Sequence, residues 1–179
     1  MTTTDKYTRP THCSDISPIT ASRDGWGFAW QLAKRGRSVL LIEQFTQDHV
    51  SGSSHGGTRI FRLGHEQQTY TTLGIAALDL WRELEAESNE TLVELIGHVD
   101  HGPAAVVSDI ESNLKNQGLA CERMSPAQAN ERWPGITFDA NVVYSPDGGQ
   151  AHAQRTVNTL WRRIVELGRA SRAESGIKI

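Results

Sequence analysis

The chain has 179 residues, of which 37% are hydrophobic and 22% charged, with a formal net charge of -3. That length allows one domain with a real core, and the mixed charge leaves no electrostatic footprint for nucleic acid. No apolar run approaches the roughly 18 residues of a membrane span, and the polar opening Met1-Thr2-Thr3-Thr4-Asp5-Lys6 lacks the apolar stretch of a secretory signal. A cytoplasmic protein without membrane contact is expected. Cys13 and Cys121 stand far apart and in no metal-ligand spacing, so neither a metal site nor a disulfide is inferred.

Residues 1–24 are polar and Thr/Ser-rich, with Pro10 and Pro18 and no clear periodicity. Gly25 to Arg35 reads as a helix with Phe28, Ala29, Leu32 and Ala33 on one face and Gly36 as its stop. Ser38 to Glu43 reads as a strand whose four successive apolar residues, Val39 to Ile42, suit a parallel strand covered on both faces. A loop is expected over 44–70, then a helix from about Thr71 to Glu87 with Leu73, Ala77, Leu80, Trp81 and Leu84 as its apolar stripe. Residues 91–107 are ambiguous, with two short apolar runs, Leu95 to Val99 and Ala104 to Val107, that could be strands. A short helix is expected from Ile110 to Gly118, and Ser125-Pro126 is an N-cap and first-position pair for another running towards Trp133. Val142-Val143-Tyr144 is a strand candidate closed by the turn Pro146-Asp147-Gly148-Gly149. A last helix spans about 152–167, with Val157, Leu160, Trp161, Ile164 and Val165 inward. This alternation predicts an α/β fold with a parallel sheet at the N-terminal side and mixed structure inserted after Glu43.

A dinucleotide fold opens strand, G-x-G-x-x-G, helix, with an acid about 20 positions on that grips the adenosine ribose. The helix, second strand and acid are here, but counting back from Glu43 gives Thr20-Ala21-Ser22-Arg23-Asp24-Gly25, with only the third glycine in place. The segment Ser14 to Ile19 reads badly as the opening strand, because Pro18 removes a ladder donor. Asp24 sets a negative charge where the helix start would meet phosphate.

The richest stretch is Gly52-Ser53-Ser54-His55-Gly56-Gly57-Thr58-Arg59-Ile60-Phe61-Arg62. A glycine-rich loop with one His and two Arg, beyond a strand ending in a carboxylate, can sit against a bound anion or cofactor. The plain alternative makes Arg59 and Arg62 outward residues of a short strand. Trp81, Trp133 and Trp161 are read as packing residues, and His65, His98, His101 and His152 are scattered, with no metal role assigned.

From about Trp30 onward the chain resembles the monomeric sarcosine oxidase and N-methyltryptophan oxidase family. The resemblance is carried by Gln31 to Gly36, the strand ending in Glu43, Gly52 to Gly56, Thr58-Arg59-Ile60 with Arg62, Leu80 to Leu84, Arg132 to Ile136 and Ser145 to Gly149. It implies a partial Rossmann-like FAD-binding domain of the glutathione-reductase-like type over 25–179, with the start of a mixed-sheet substrate domain and 1–24 as a degenerate N-terminal segment. It also implies oxidation of a secondary or N-methyl amine, with O2 reduced to H2O2. By position, Glu43 would bind the adenosine ribose and Gly25, Ser53, Ser54, His55, Thr58 and Arg59 would contact the cofactor. His55 and Arg59 would lie near the isoalloxazine, Arg59 stabilising negative charge on the reduced form, and Arg62 would face a substrate carboxylate. Gly57 stands where the family has Asp, and Leu63 where it has His. The family's flavin-attaching cysteine and oxygen-activating lysine belong to a second half with no counterpart in these residues. The expectation is therefore a truncated form of such an enzyme, or an inactive fragment or subunit for which a partner chain supplies the missing half.

Overall fold

A computed structural model describes residues 16–20, 23–43, 56–168 and 170–174. Its elements begin β1 (Ile16–Thr20), α1 (Arg23–Lys34), β2 (Ser38–Glu43), β3 (Thr58–Phe61), α2 (Gln68–Ser88), β4 (Val93–Glu94) and β5 (His98–Gly102). They continue α3 (Ala104–Asn116), β6 (Glu122–Met124), α4 (Pro126–Arg132), β7 (Asn141–Ser145), β8 (Gly149–His152), α5 (Ala153–Glu166) and β9 (Ala170–Glu174). The chain divides into two compact units, Met1–His55 with Val157–Ile179, and Gly56–Thr156.

The first unit is a parallel sheet in the order β1-β2-β9. The apolar run of β2 takes the central place, with Val39 and Leu41 buried on one face and Leu40 half-buried on the other. A strand does form before α1, where Pro18 argued against one. Pro18 is in register with Leu40, but β1 pairs with β2 alone among the described strands, and an edge position tolerates a missing ladder donor. α1 buries Trp26, Ala29, Trp30 and Ala33, the i, i+3, i+4, i+7 set of one helical face, while Phe28, expected inward, is exposed. Gly36, at φ 73°, ends the helix with its N–H on the Ala33 carbonyl and Arg37 N–H on Leu32. On α5, Val157, Leu160 and Ile164 are buried, and Trp161 meets Trp26 edge to face at 5.4 Å. Val165, expected inward, is exposed.

The second unit holds two antiparallel sheets, β3-β8-β4 and β5-β7-β6. The loop expected over 44–70 contains β3 and the first turn of α2. The stripe on α2 is rotated from its expected place: Thr71 and Leu84 are buried and Ile75, Leu78 and Trp81 pack on the core, while Leu73 and Leu80 are exposed. Ala104 to Val107 is the start of α3, not a strand. Pro103 stands at its N-cap, and Val107, Ile110 and Leu114 repeat at helical spacing into the core. Ser125 caps α4 in a full capping box with Gln128, and Pro126 opens the helix. Strands β7 and β8 are joined by the expected turn. Gly149 lets β4 lie close against β8: a Cβ there would stand 2.0 Å from the Glu94 carbonyl oxygen.

Candidate active site

The residues singled out from the sequence fall on both units. In the parallel unit, Gly25 is buried in the first turn of α1. Glu43 is the last residue of β2, in register with Glu174 of β9. β1, α1 and β2 follow one another in the chain with β1 parallel to β2, the arrangement of a βαβ unit. Ser53, Ser54 and His55 lie outside the described residues.

In the antiparallel unit, Thr58 and Arg59 lie on β3, in register with His152 and Ala151 of β8. Arg59 is half-buried and its Nη1 donates to the Thr58 carbonyl oxygen at 2.6 Å. Between the two arginines, Ile60 is exposed and Phe61 buried, so the strand's alternation turns Phe61 into the core. Arg62 follows the strand and lines an open cleft of about 690 Å³.

That cleft is where the polar groups of the second unit gather. Its walls come from Ile60 to Arg62, from His65, and from His98 to His101 of β5. Arg62 Nη1 donates to Asp100 Oδ1 at 3.0 Å, and His98 Nε2 lies 3.2 Å from the same oxygen. Gly64 makes room for this carboxylate, since a Cβ there would stand 2.9 Å from Asp100 Oδ2. Burial and the neighbouring Arg62 charge hold the His65 imidazole below its ordinary value, with Asp100 pulling the other way. His101 Nε2 lies 3.0 Å from Asp139 Oδ1 and its ring meets Phe138 edge to face. Among the described residues no group of three or more His, Cys, Asp or Glu could hold a metal ion.

Sequence reasoning found Arg62 and missed its surroundings. In the sequence His65, His98 and His101 look scattered, and Asp100 draws no notice. The signal lies in the alternation of His98-Val99-Asp100, which sends the imidazole and carboxylate to one face of a strand. It was hidden because Leu95 to Val99 reads as an apolar run, which places the strand too early.

A family model described as FAD dependent oxidoreductase matches residues 25–175. Monomeric sarcosine oxidase of Bacillus sp. (strain B-0618) is 30% identical over 158 residues, covering 85% of this chain and 40% of that protein. N-methyl-L-tryptophan oxidase of Yersinia pestis (strain Pestoides F) is 28% identical, covering 86% of this chain and 43% of that protein. The structure of NikD, an unusual amino acid oxidase essential for nikkomycin biosynthesis, superposes with a TM-score of 0.74 at 25% identity, over 89% of this chain and 42% of that one. L-proline dehydrogenase from P. horikoshii, at 22% identity and a TM-score of 0.70, shares the fold over 89% of this chain and 43% of its own. The chain thus spans about 40% of the length of the curated relatives it matches. Its mixed α/β architecture is that of a partial Rossmann-like FAD-binding domain. The chain belongs to the FAD dependent oxidoreductase family.

Proposed function

We propose that the chain is the cofactor-binding part of an FAD-dependent oxidoreductase acting on secondary or N-methyl amines, with O2 as the electron acceptor. The observation that carries this reading is the parallel βαβ unit with Glu43 at the end of its central strand, followed by an arginine-bearing cleft in the next unit.

The parallel unit fits FAD at its adenosine end. In this reading Glu43, the last residue of β2, is the acid that accepts hydrogen bonds from the ribose, and buried Gly25 keeps the third-glycine place of the fingerprint. Thr20 and Ser22 stand in the first two glycine places, so the pyrophosphate grip is the weak part of the fit. When bound, FAD supplies a two-electron acceptor for oxidation of the carbon beside the amine nitrogen, and O2 takes the electrons on to H2O2. The chain's own residues bind and orient. Gly25, Glu43, Ser53, Ser54, His55, Thr58 and Arg59 would hold the cofactor, and His55, Arg59 and Arg62 would serve the reaction. Arg59 places positive charge beside the ring and Arg62 faces the substrate. A cytoplasmic setting belongs to the same reading; no helix among the described residues is long and apolar enough to cross a membrane.

The relatives' greater length supports a second reading, in which a partner chain completes the site and this chain alone is inactive. One experiment separates the two. The chain loaded with FAD is mixed without air with a panel of N-methyl amines, and the visible flavin absorption is followed. Bleaching, with H2O2 formed when air is admitted, is the expected result. No bleaching with any amine, alone or with a co-purifying polypeptide, overturns the oxidoreductase reading; bleaching only with that polypeptide selects the subunit reading.

A further inference from the structure

The loop after β3 carries two residues of the cleft, Arg62 and His65, and it is seated between two helices. On the α2 side, a Cβ at Gly74 would stand 3.0 Å from Leu63 Cδ2 and 3.6 Å from the Arg62 carbonyl oxygen. On the α3 side, a Cβ at Gly64 would stand 3.0 Å from Ile110 Cγ2 and 3.7 Å from Leu114 Cδ1. Leu63 itself is buried in the cluster that holds Ile110 and Leu114. Such packing holds Leu63 and Gly64 in place, but apolar contact is non-directional and does not aim the peptide groups that follow.

Asn113, in the last turn of α3, supplies the direction. Its Nδ2 donates to the His65 carbonyl oxygen at 2.9 Å and to the Glu66 carbonyl oxygen at 2.8 Å, 48 and 47 positions back along the chain. A side-chain amide nitrogen carries two N–H groups, and both are spent here on consecutive carbonyls. The amide has one orientation only, since its oxygen in that place would face two other oxygens. Helix formation does not account for the residue, because asparagine competes with the backbone for hydrogen bonds and is poor in helices.

We infer that Asn113 is a positioning residue of the cleft: its amide clamps the His65 and Glu66 carbonyls and so sets where Arg62 and His65 stand. The inference deepens the amine oxidoreductase reading, in which Arg62 faces the substrate, and rests on it for its functional meaning. Asn113 acts through the loop and not on the reacting atoms. Its effect is readable at His65, whose charged form is disfavoured by burial first, then by Arg62, with Asp100 opposing and His98 adding to Arg62. A loosened loop lets the ring move towards water and away from the guanidinium.

The test compares the whole native chain with three variants. Asn113→Leu keeps the bulk and favours the helix but has no donor; Asn113→Ala is a second donor-free variant; Asn113→Gln keeps an amide on a longer arm. The His65 ring signals are followed by NMR across the pH range. His65 should titrate below 6.5 in the native chain and move up towards 6.5 in the donor-free variants. The Gln variant should lie nearer the native chain than they do, and the backbone amide signals of β6 and β7 should stay where they are. A role in stability alone would lower the urea midpoint and leave the folded-state titration of His65 unchanged. An unmoved His65 in the donor-free variants, or one that shifts only together with the β6 and β7 amides, overturns the inference. A second measurement needs no variant. In the native chain the Asn113 side-chain amide protons should exchange with solvent at least about tenfold more slowly than those of exposed Asn116. Equal exchange at the two residues overturns the clamp, whether or not the variants fold. No flavin enters either measurement, so a chain without flavin chemistry sinks the oxidoreductase reading, whereas these results alone judge Asn113.

Discussion

The two units of this chain are specified by different physics. The parallel unit is built around an apolar strand: Val39 and Leu41 are buried in β2, and α1 and α5 turn Trp26, Trp30, Leu160 and Ile164 inward. The antiparallel unit has an apolar core of its own around Phe61, Leu63, Val107 and Leu114, yet it also carries partly buried charge. Asp100 and His98 sit behind Arg62, and Glu85 accepts the N–H groups of Leu92 and Val93 at 2.7 and 2.8 Å. A central strand such as β2 needs only hydrophobic residues in sequence. A cleft needs particular polar groups placed in register, and it is sensitive to single atoms.

The sharpest way to break this contrast is to empty the centre of the parallel unit. Leu41 is wholly buried, so Leu41→Ala should cost about 2–5 kcal/mol of stability in urea unfolding. A loss well under 1 kcal/mol, against that expectation of about 2–5, would mean that β2 is not the packed strand described.

In the antiparallel unit the corresponding weak point is space, not volume lost. Gly149→Ala places a methyl group against the Glu94 carbonyl, and should cost about 1–3 kcal/mol by forcing the backbone apart. Hydrogen exchange should report the damage first at the amides of β4 and β8; uniform loss across the chain would contradict the local account.

Glu85 tests the polar side of the comparison. Burial acts to raise its carboxyl, but the Val93 N–H, the Arg82 side chain and the Leu92 N–H outweigh it and hold the group below its ordinary 4.5. Glu85→Ala leaves two N–H groups without their acceptor and should cost about 1–3 kcal/mol at neutral pH. A carboxyl depressed in the folded state contributes fully above 4.5 and loses its contribution as pH falls through the lowered value. The gap between native and variant chains in denaturant midpoint should therefore close on acidification; a gap that stays constant to the lowest pH refutes the linkage.

His65 should give the smallest effect and the opposite end of the pH range. Its imidazole is held below 6.5 when folded, so the unfolded chain takes up protons first as pH falls through 6.5. Stability should rise with pH across the window just below that value, and His65→Gln should flatten this slope. An unchanged slope would assign it to another group.

Much of the parallel unit was legible from the sequence because its signals are local. The run Val39 to Ile42 and the stop at Gly36 need no knowledge of the rest of the chain. β1 and β9 were not legible. Pro18 argues against a central strand, and only the sheet order shows that β1 has one neighbour among the described strands. β9 reads Ala-Ser-Arg-Ala-Glu, with no apolar period at all, and takes its strand form by pairing with β2. In the other unit, Ser125-Pro126 announced α4 through its own capping chemistry, whereas the inward face of α2 depends on partners far along the chain. Trp81 and Leu84 meet the core as expected, whereas Leu73 and Leu80 look inward by composition but are exposed, and Thr71, Ile75 and Leu78 take their place. The cleft was half legible for the same reason. Arg62 stands in a glycine-rich, basic stretch that draws notice, while Asp100 reaches it from 38 positions away.

The central claim is that the βαβ unit grips the adenosine of FAD through Glu43, despite the altered turn before it. Titration of the chain with FAD and, separately, with FMN, which lacks the adenosine, addresses this most directly through quenching of flavin fluorescence. The account predicts saturable binding of FAD, about tenfold or more tighter than FMN, with that preference lost in Glu43→Gln. Equal affinity for the two flavins, or no saturable binding of either, would contradict it.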